Sequence, residues 1–206
     1  MKALILVDVQ NDFLPGGALP VPQGNEVVPV ANRLIPNYDL VIATQDWHPA
    51  GHGSFASRHQ GHAVGDVITL NGVPQILWPD HCIQNTAGAD FPAGLNMGGI
   101  QWICRKGMDP EVDSYSGFFD NGHLHDTGLR DYLRKRGVRE VHIMGLATDY
   151  CVRFTALDAK DLGFDTHLII EGVRGVEIHP GDIQKAVEEM QAAGVHIITP
   201  AASPAT

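Results

Sequence analysis

Apolar positions along the chain fall into short uninterrupted runs, separated by amphipathic stretches and glycine-rich breaks. Leu4 to Val7 is one such run, as expected of a strand buried on both faces. A turn-rich stretch, Leu14-Pro15-Gly16-Gly17, precedes a helix predicted from about Gly24 to Asn37, and Asp39 to Thr44 forms a second strand. Trp102 to Cys104 predicts a short third strand that leads into Arg105 and Lys106. The last third alternates regularly. A helix from Leu129 to Arg136 stops at Gly137, followed by a strand from Val141 to Met144 and a helix from Asp149 to Leu162 that stops at Gly163. The strand His167 to Ile170, the helix Ile183 to Ala193 and the strand Val195 to Ile198 complete the pattern.

Strand–helix alternation of this kind implies a parallel sheet covered by helices on both faces. The expected fold is therefore a three-layer α/β/α sandwich around a mostly parallel, roughly six-stranded sheet. No repeat, low-complexity tract or linker divides the chain, so residues 1–206 read as a single domain. The stretch from Asp46 to Gly99 departs from the pattern, being rich in Gly, Pro, His and Asn with little periodicity. An irregular insertion of that length seldom persists unless it builds a site. The tail after Pro200 reads as frayed.

Composition narrows the function classes. A formal net charge of −10 argues against nucleic acid or an anionic membrane as the main partner. No apolar stretch is long enough to span a bilayer, and the N-terminus reads as a first strand rather than a signal peptide. Three widely spaced cysteines, Cys82, Cys104 and Cys151, form no disulfide framework, so a reducing cytoplasm is the expected compartment.

In open parallel sheets, ligands bind beyond the carboxyl ends of the strands. That rule gathers Asp8, Asp46, His48, Lys106 and the segment Ala147 to Cys151 on one sheet edge. Cys151 falls in the first turn of its helix, with Thr148 as the expected N-cap. There the helix dipole and free N–H groups would favour thiolate and receive an oxyanion. A buried structural cysteine is the competing reading. Asp8 ends an apolar strand, where a carboxylate is costly unless it is paired or used; a turn-capping role is its plainer alternative. Lys106 leaves the third strand within reach of Asp8, and an Asp–Lys pair would hold the lysine charged.

Asp46-Trp47-His48 puts an acid and an imidazole on one side of an extended segment, and Trp78-Pro79-Asp80-His81-Cys82 offers another imidazole. Two His and one carboxylate suit Zn²⁺, Fe²⁺ or Mn²⁺. With 11 His in the chain, chance spacing is the alternative. Cys82 could ligate in place of His81, and His52, His59 and His62 are further candidate ligands. His123-Leu124-His125 reads as a surface loop.

Six motifs together carry a resemblance: Val7-Asp8-Val9-Gln10-Asn11-Asp12-Phe13, Ala43-Thr44-Gln45-Asp46-Trp47-His48-Pro49, Ser54-Phe55 with Trp78-Pro79-Asp80-His81-Cys82, Lys106-Gly107, Asp113-Ser114-Tyr115-Ser116-Gly117-Phe118, and Gly145-Leu146-Ala147-Thr148-Asp149-Tyr150-Cys151-Val152. In order and spacing the chain resembles the nicotinamidases (pyrazinamidases) of the isochorismatase-like cysteine hydrolase superfamily, over essentially its whole length. The resemblance implies a catalytic triad of Asp8, Lys106 and Cys151, and metal ligands Asp46, His48 and His81 around one divalent ion, zinc first. It also implies a cis peptide before Ala147, with the Ala147 and Cys151 N–H groups as oxyanion hole. Some members add a further His or Glu ligand, a role for which His52 is the candidate. Phe13, Trp78 and Tyr115 match aromatic positions that sandwich the substrate ring. The implied reaction is hydrolysis of nicotinamide to nicotinate and ammonia through a cysteine thioester, in NAD salvage, with pyrazinamide as a second substrate and the pyridine nitrogen on the metal. Self-association stays open. Rival readings are an amidase for N-carbamoyl or other small amides, an isochorismatase, and a non-catalytic metal-binding α/β protein.

Overall fold

The structure, a computed structural model, describes residues 1–199; the expected frayed tail lies outside the described residues. Six parallel strands form the central sheet in the order β5-β2-β1-β6-β7-β8. They are β1 (Lys2–Val7), β2 (Leu40–Asp46), β5 (Trp102–Lys106), β6 (Glu140–Leu146), β7 (Asp165–Arg174) and β8 (His196–Ile198). The helices are α1 (Val27–Leu34), α2 (Leu129–Lys135), α3 (Arg153–Asp161) and α4 (Asp182–Ala192). Two short strands, β3 (Val67–Leu70) and β4 (Val73–Ile76), pair as a separate antiparallel hairpin.

The apolar runs explain the centre of the sheet. Ala3 to Val7 and Val41 to Ala43 are fully buried, because helices cover both faces and leave no solvent side for polar alternation. Strand order reverses between β1, which turns back through α1 to β2, and β6, which lies on its other side. The carboxyl ends of β1, β2, β5 and β6 therefore surround a crevice, as expected for a doubly wound sheet. Right-handed crossovers in opposite directions from that point put α1 on one face and the later helices on the other. This is the three-layer sandwich that the alternation predicts.

Details differ for physical reasons. The first helix is α-helical only over Val27–Leu34 and is flanked by 3₁₀ turns at Gly24–Glu26 and Ile35–Asn37. Pro36 lacks an N–H and cannot extend the α pattern. Strand β7 continues well past Ile170 to Arg174, and its pairing with β6 slips between Ile143 and Gly145. Glu171-Gly172 interrupts the apolar run and looks like a turn, yet a side chain at Gly172 would collide with Met144. The β3–β4 hairpin lies within the stretch expected to be irregular, although its Asn71-Gly72 turn has two positive φ values, 46° and 84°. That pair is the common two-residue hairpin signal; the surrounding Gly, Pro and His masked it. Gly137 and Gly163, at φ 69° and 85°, end α2 and α3 where the sequence places the stops.

Leu6→Ala should cost about 2–5 kcal/mol, since its side chain is buried in close packing. Val67→Ala, at 66% exposure on the hairpin, should stay within about 0.5 kcal/mol. Thermal denaturation of the two variants checks the contrast.

Candidate active site

At the carboxyl end of β1 the chain leaves the sheet through Asp8, whose φ of 48° lies in the left-handed region that Asp tolerates better than most residues. This turn buries the carboxylate completely. The Thr44 hydroxyl on β2 donates to Asp8 Oδ1 at 2.6 Å. Oδ2 lies 2.9 Å from the Lys106 ammonium, without hydrogen-bond geometry. Lys106, at the end of β5, spends its three donors elsewhere: Asp46 Oδ1 at 2.6 Å, the Ser114 carbonyl at 2.8 Å and Cys151 Sγ at 3.5 Å. One buried ammonium thus joins β1, β2, β5 and the turn after β6, and Asp8, Asp46 and Cys151 offer atoms within 4.8 Å of one another.

Electrostatics follow from burial. Desolvation pushes Asp8 up to about 6, against the pull of Lys106. Burial works to discharge Lys106, but Asp46 and Asp8 outweigh it and hold the ammonium well above its ordinary value. Burial also raises the Cys151 thiol strongly; Lys106 opposes this, and Asp8, Asp46 and Asp113 add to the rise. Burial thus works against the thiolate expected at this turn, and Lys106 works for it. A correction concerns the turn itself. Thr148–Val152 is a π-helical turn whose cap position is Ala147, and the Thr148 hydroxyl is buried without a partner rather than capping. The Leu146–Ala147 peptide is cis.

Beside this cluster, Asp46, His48 and His81 bring one ligand atom each within 4.8 Å of the others. His48 Nδ1 meets the Gly107 carbonyl at 2.8 Å and His81 Nδ1 meets the Pro79 carbonyl at 2.7 Å. A carbonyl only accepts, so both Nδ1 atoms carry the proton and both Nε2 atoms keep a lone pair. Burial holds both imidazoles below their ordinary pKa, hence neutral. His48 Nε2 is buried with no hydrogen-bond partner. A neutral, pre-oriented imidazole pair beside a carboxylate fits a divalent ion. Phe55, with ring centroids 5.5 Å from each imidazole, seats both rings.

The other candidate ligands divide between the site and the surface. His52 Nδ1 accepts from Ser54, and its Nε2 donates to the Asp109 carbonyl at 2.7 Å. Both nitrogens are engaged, yet His52, His48 and Asp113 also bring one ligand atom each within 4.8 Å of the others, and the His52 ring stays 4.4 Å from that of His48 between centroids. His59 bonds the Gly53 carbonyl, and His62 pairs with Asp66 near the surface. Cys82 is buried, and its backbone N–H donates to Asp12. Its sulfur belongs to none of the grouped ligand atoms. His123 and His125 are in the exposed loop that the sequence suggests.

Phe13, Trp78 and Tyr115 line one cavity with Asp46, His81, Ala147 and Cys151, joined by Leu19, Asp113, Tyr150 and Val176. Trp78 Nε1 and Gln75 Nε2 each donate to the Tyr115 hydroxyl at 3.0 Å. Several contributors carry no role in the sequence reading. Gln10 accepts from the Asp46 N–H and donates to its carbonyl, both at 2.8 Å, fixing the backbone of that residue. Thr44 fixes Asp8. Asp113 lies 4.0 Å from His48. Gln10 is two residues beyond Asp8, and Thr44 two before Asp46; that alternation was the available signal.

The chain is 52% identical to the nicotinamidase of Escherichia coli over 96% of its own length and 94% of that protein's. The chain belongs to the nicotinamidase family. An isochorismatase domain matches residues 111–202. Among solved structures, an Acinetobacter baumanii nicotinamidase/pyrazinamidase superposes with a TM-score of 0.93 at 43% identity, covering 96% of this chain and 95% of that one. The pyrazinamidase of Pyrococcus horikoshii, solved in complex with zinc, gives 0.78 at 40% identity, covering 97% and 99%.

Gly107 supplies the carbonyl that orients His48 and has φ 64°; a Cβ there would lie 2.5 Å from His48 Cε1 and 2.7 Å from Nδ1. Gly107→Ala should therefore lower zinc affinity about 10–100-fold, read by titrating zinc into chelator-treated protein.

Proposed function

We propose that this protein hydrolyses nicotinamide to nicotinate and ammonia, with pyrazinamide as a second substrate, through a thioester on Cys151. The observation that carries the reading is the Lys106 ammonium set between the Asp8 carboxylate and the Cys151 sulfur, at 2.9 and 3.5 Å. The family membership supports the substrate class. The full Asp–Lys–Cys set with its imidazole pair counts against N-carbamoyl amidase, isochorismatase and non-catalytic readings.

In the proposed reaction Asp8 acts as base. Lys106, 2.9 Å from its Oδ2, holds the carboxylate beside the thiol. As the Cys151 sulfur attacks the carboxamide carbon, its proton passes to Asp8, and Lys106 stabilises the developing thiolate. The Ala147 and Cys151 N–H groups receive the oxyanion, at about 3 kcal/mol per donor in comparable sites. Protonated Asp8 gives its proton to the leaving nitrogen, which departs as ammonia. A water then adds to the thioester with Asp8 again as base, nicotinate leaves, and the proton returns to sulfur. Phe13, Trp78 and Tyr115 enclose the ring and exclude water from it. Asp46, His48 and His81 would hold one divalent ion, zinc in our reading. When bound, it supplies a Lewis-acidic position for the pyridine nitrogen that orients the carboxamide toward Cys151. The three free cysteines fit a reducing compartment, which we take to be the cytoplasm. Among the described residues no helix is long and apolar enough to cross a membrane.

Cys151→Ala should abolish ammonia release from nicotinamide while substrate still binds; turnover near the wild-type rate would end the thioester scheme. The pH profile adds an independent check. Asp8 is raised to about 6, so it is protonated and inactive as a base below that pH and ionised above it. The acid limb of kcat/KM should accordingly bend near pH 6 and fall about tenfold per unit below it. A limb bending near 4, where an unperturbed aspartate titrates, would show that burial does not raise Asp8 in this way.

A further inference from the structure

The amino-terminal end of the sheet, remote from the crevice, carries a second set of ligand side chains that the reaction does not use. His142 on β6, His167 on β7 and His196 on β8 are register partners across three adjacent strands. Parallel pairing puts them on one face, and their rings follow one another at 4.7 and 5.0 Å between centroids. Carboxylates flank the row. Glu140 Oε1 lies 2.7 Å from His142 Nε2, and Asp165 Oδ1 lies 3.3 Å from His167 Nε2 and 3.6 Å from His196 Nε2.

Two observations mark this as more than a stacked row. Glu140, His142 and His167 each bring a ligand atom within 4.8 Å of the others, as the residues of the first cluster do. Both ring nitrogens of His167 are buried without a hydrogen-bond partner; Nε2 has the Asp165 carboxylate 3.3 Å away as a charge contact, and a desolvated Nδ1 left unpaired is costly. We propose that Glu140, His142 and His167 form a second cation site, for a divalent transition ion of borderline softness, with Asp165 and His196 at its rim.

The donor chemistry suits zinc, copper or nickel more than magnesium or calcium, because imidazoles dominate. The outer shell fits as well. The Tyr38 hydroxyl lies 2.7 Å from His142 Nδ1. Without an ion, Tyr38 donates to that nitrogen and Nε2–H donates to Glu140. With an ion on Nε2, the imidazole proton sits on Nδ1 and the Tyr38 oxygen accepts it, freeing the Glu140 carboxylate to ligate. The site spans β6 and β7 at their first residues, so a bound ion clasps two parallel strands where no short turn connects them. Its role is structural, since the pocket lies at the opposite strand ends.

The test is zinc titration of the chelator-treated full chain by calorimetry, with stoichiometry checked by elemental analysis. Wild type should take up two equivalents. His167→Gln and, separately, Glu140→Gln should weaken one of them at least tenfold while kcat and KM for nicotinamide stay unchanged. His81→Ala should lose the other equivalent and keep the one that depends on His167. Glu140 is half-exposed, so its replacement preserves folding even where that of His167 does not. Uptake of a single equivalent by wild type, or two undiminished equivalents in Glu140→Gln, would overturn the site.

Discussion

A single buried ammonium organises this molecule. Lys106 is about 2% exposed, and a lysine so placed stays charged only if opposite charge lies close by. Asp8 and Asp46 provide that charge, and the dependence is mutual. Two carboxylates with oxygens within 4.8 Å would not both ionise without the cation between them. The ends of three strands are thereby held together by a network in which every member justifies the others. Removing Lys106 would leave two buried carboxylates without a counter-charge, so the arrangement defines one geometry and penalises alternatives.

Asp46 connects the two halves of the site. Its Oδ1 bonds Lys106, while its Oδ2 lies 3.8 Å from His48 Nε2. The same side chain therefore belongs both to the proton-handling cluster and to the group suited to a cation. Gln10 clamps the backbone on either side of that carboxylate, which limits how far it can drift toward either neighbour. The apolar ring-lined pocket sits between the two, so a flat heteroaromatic amide would meet both at once.

Much of this was legible in the chain. Apolar runs and glycine stops located all six strands of the main sheet and the four helices to within a few residues, because period and punctuation are local properties. The strand-end rule brought Asp8, Asp46, Lys106 and Cys151 to one edge without coordinates. What stayed hidden depends on tertiary neighbours. The pairing of Thr44 with Asp8, the carbonyl of Gly107 behind His48, and the engagement of both His52 nitrogens follow from distances that spacing does not encode. The upward push of burial on the Cys151 thiol, opposed by Lys106, likewise depends on what surrounds the sulfur in space. The Asn71-Gly72 hairpin is a local signal diluted by its irregular, glycine- and proline-rich surroundings.

The cluster around Lys106 draws on residues from the first strand to the turn after the sixth, with no two of its side chains near in sequence. All connections in a parallel sheet are long, so these contacts close only after much chain entropy has been lost. During synthesis, a ribosome that has not yet released Cys151 has made no part of the centre that could act alone. The centre is therefore complete only once every one of these strand ends has reached its place in the sheet.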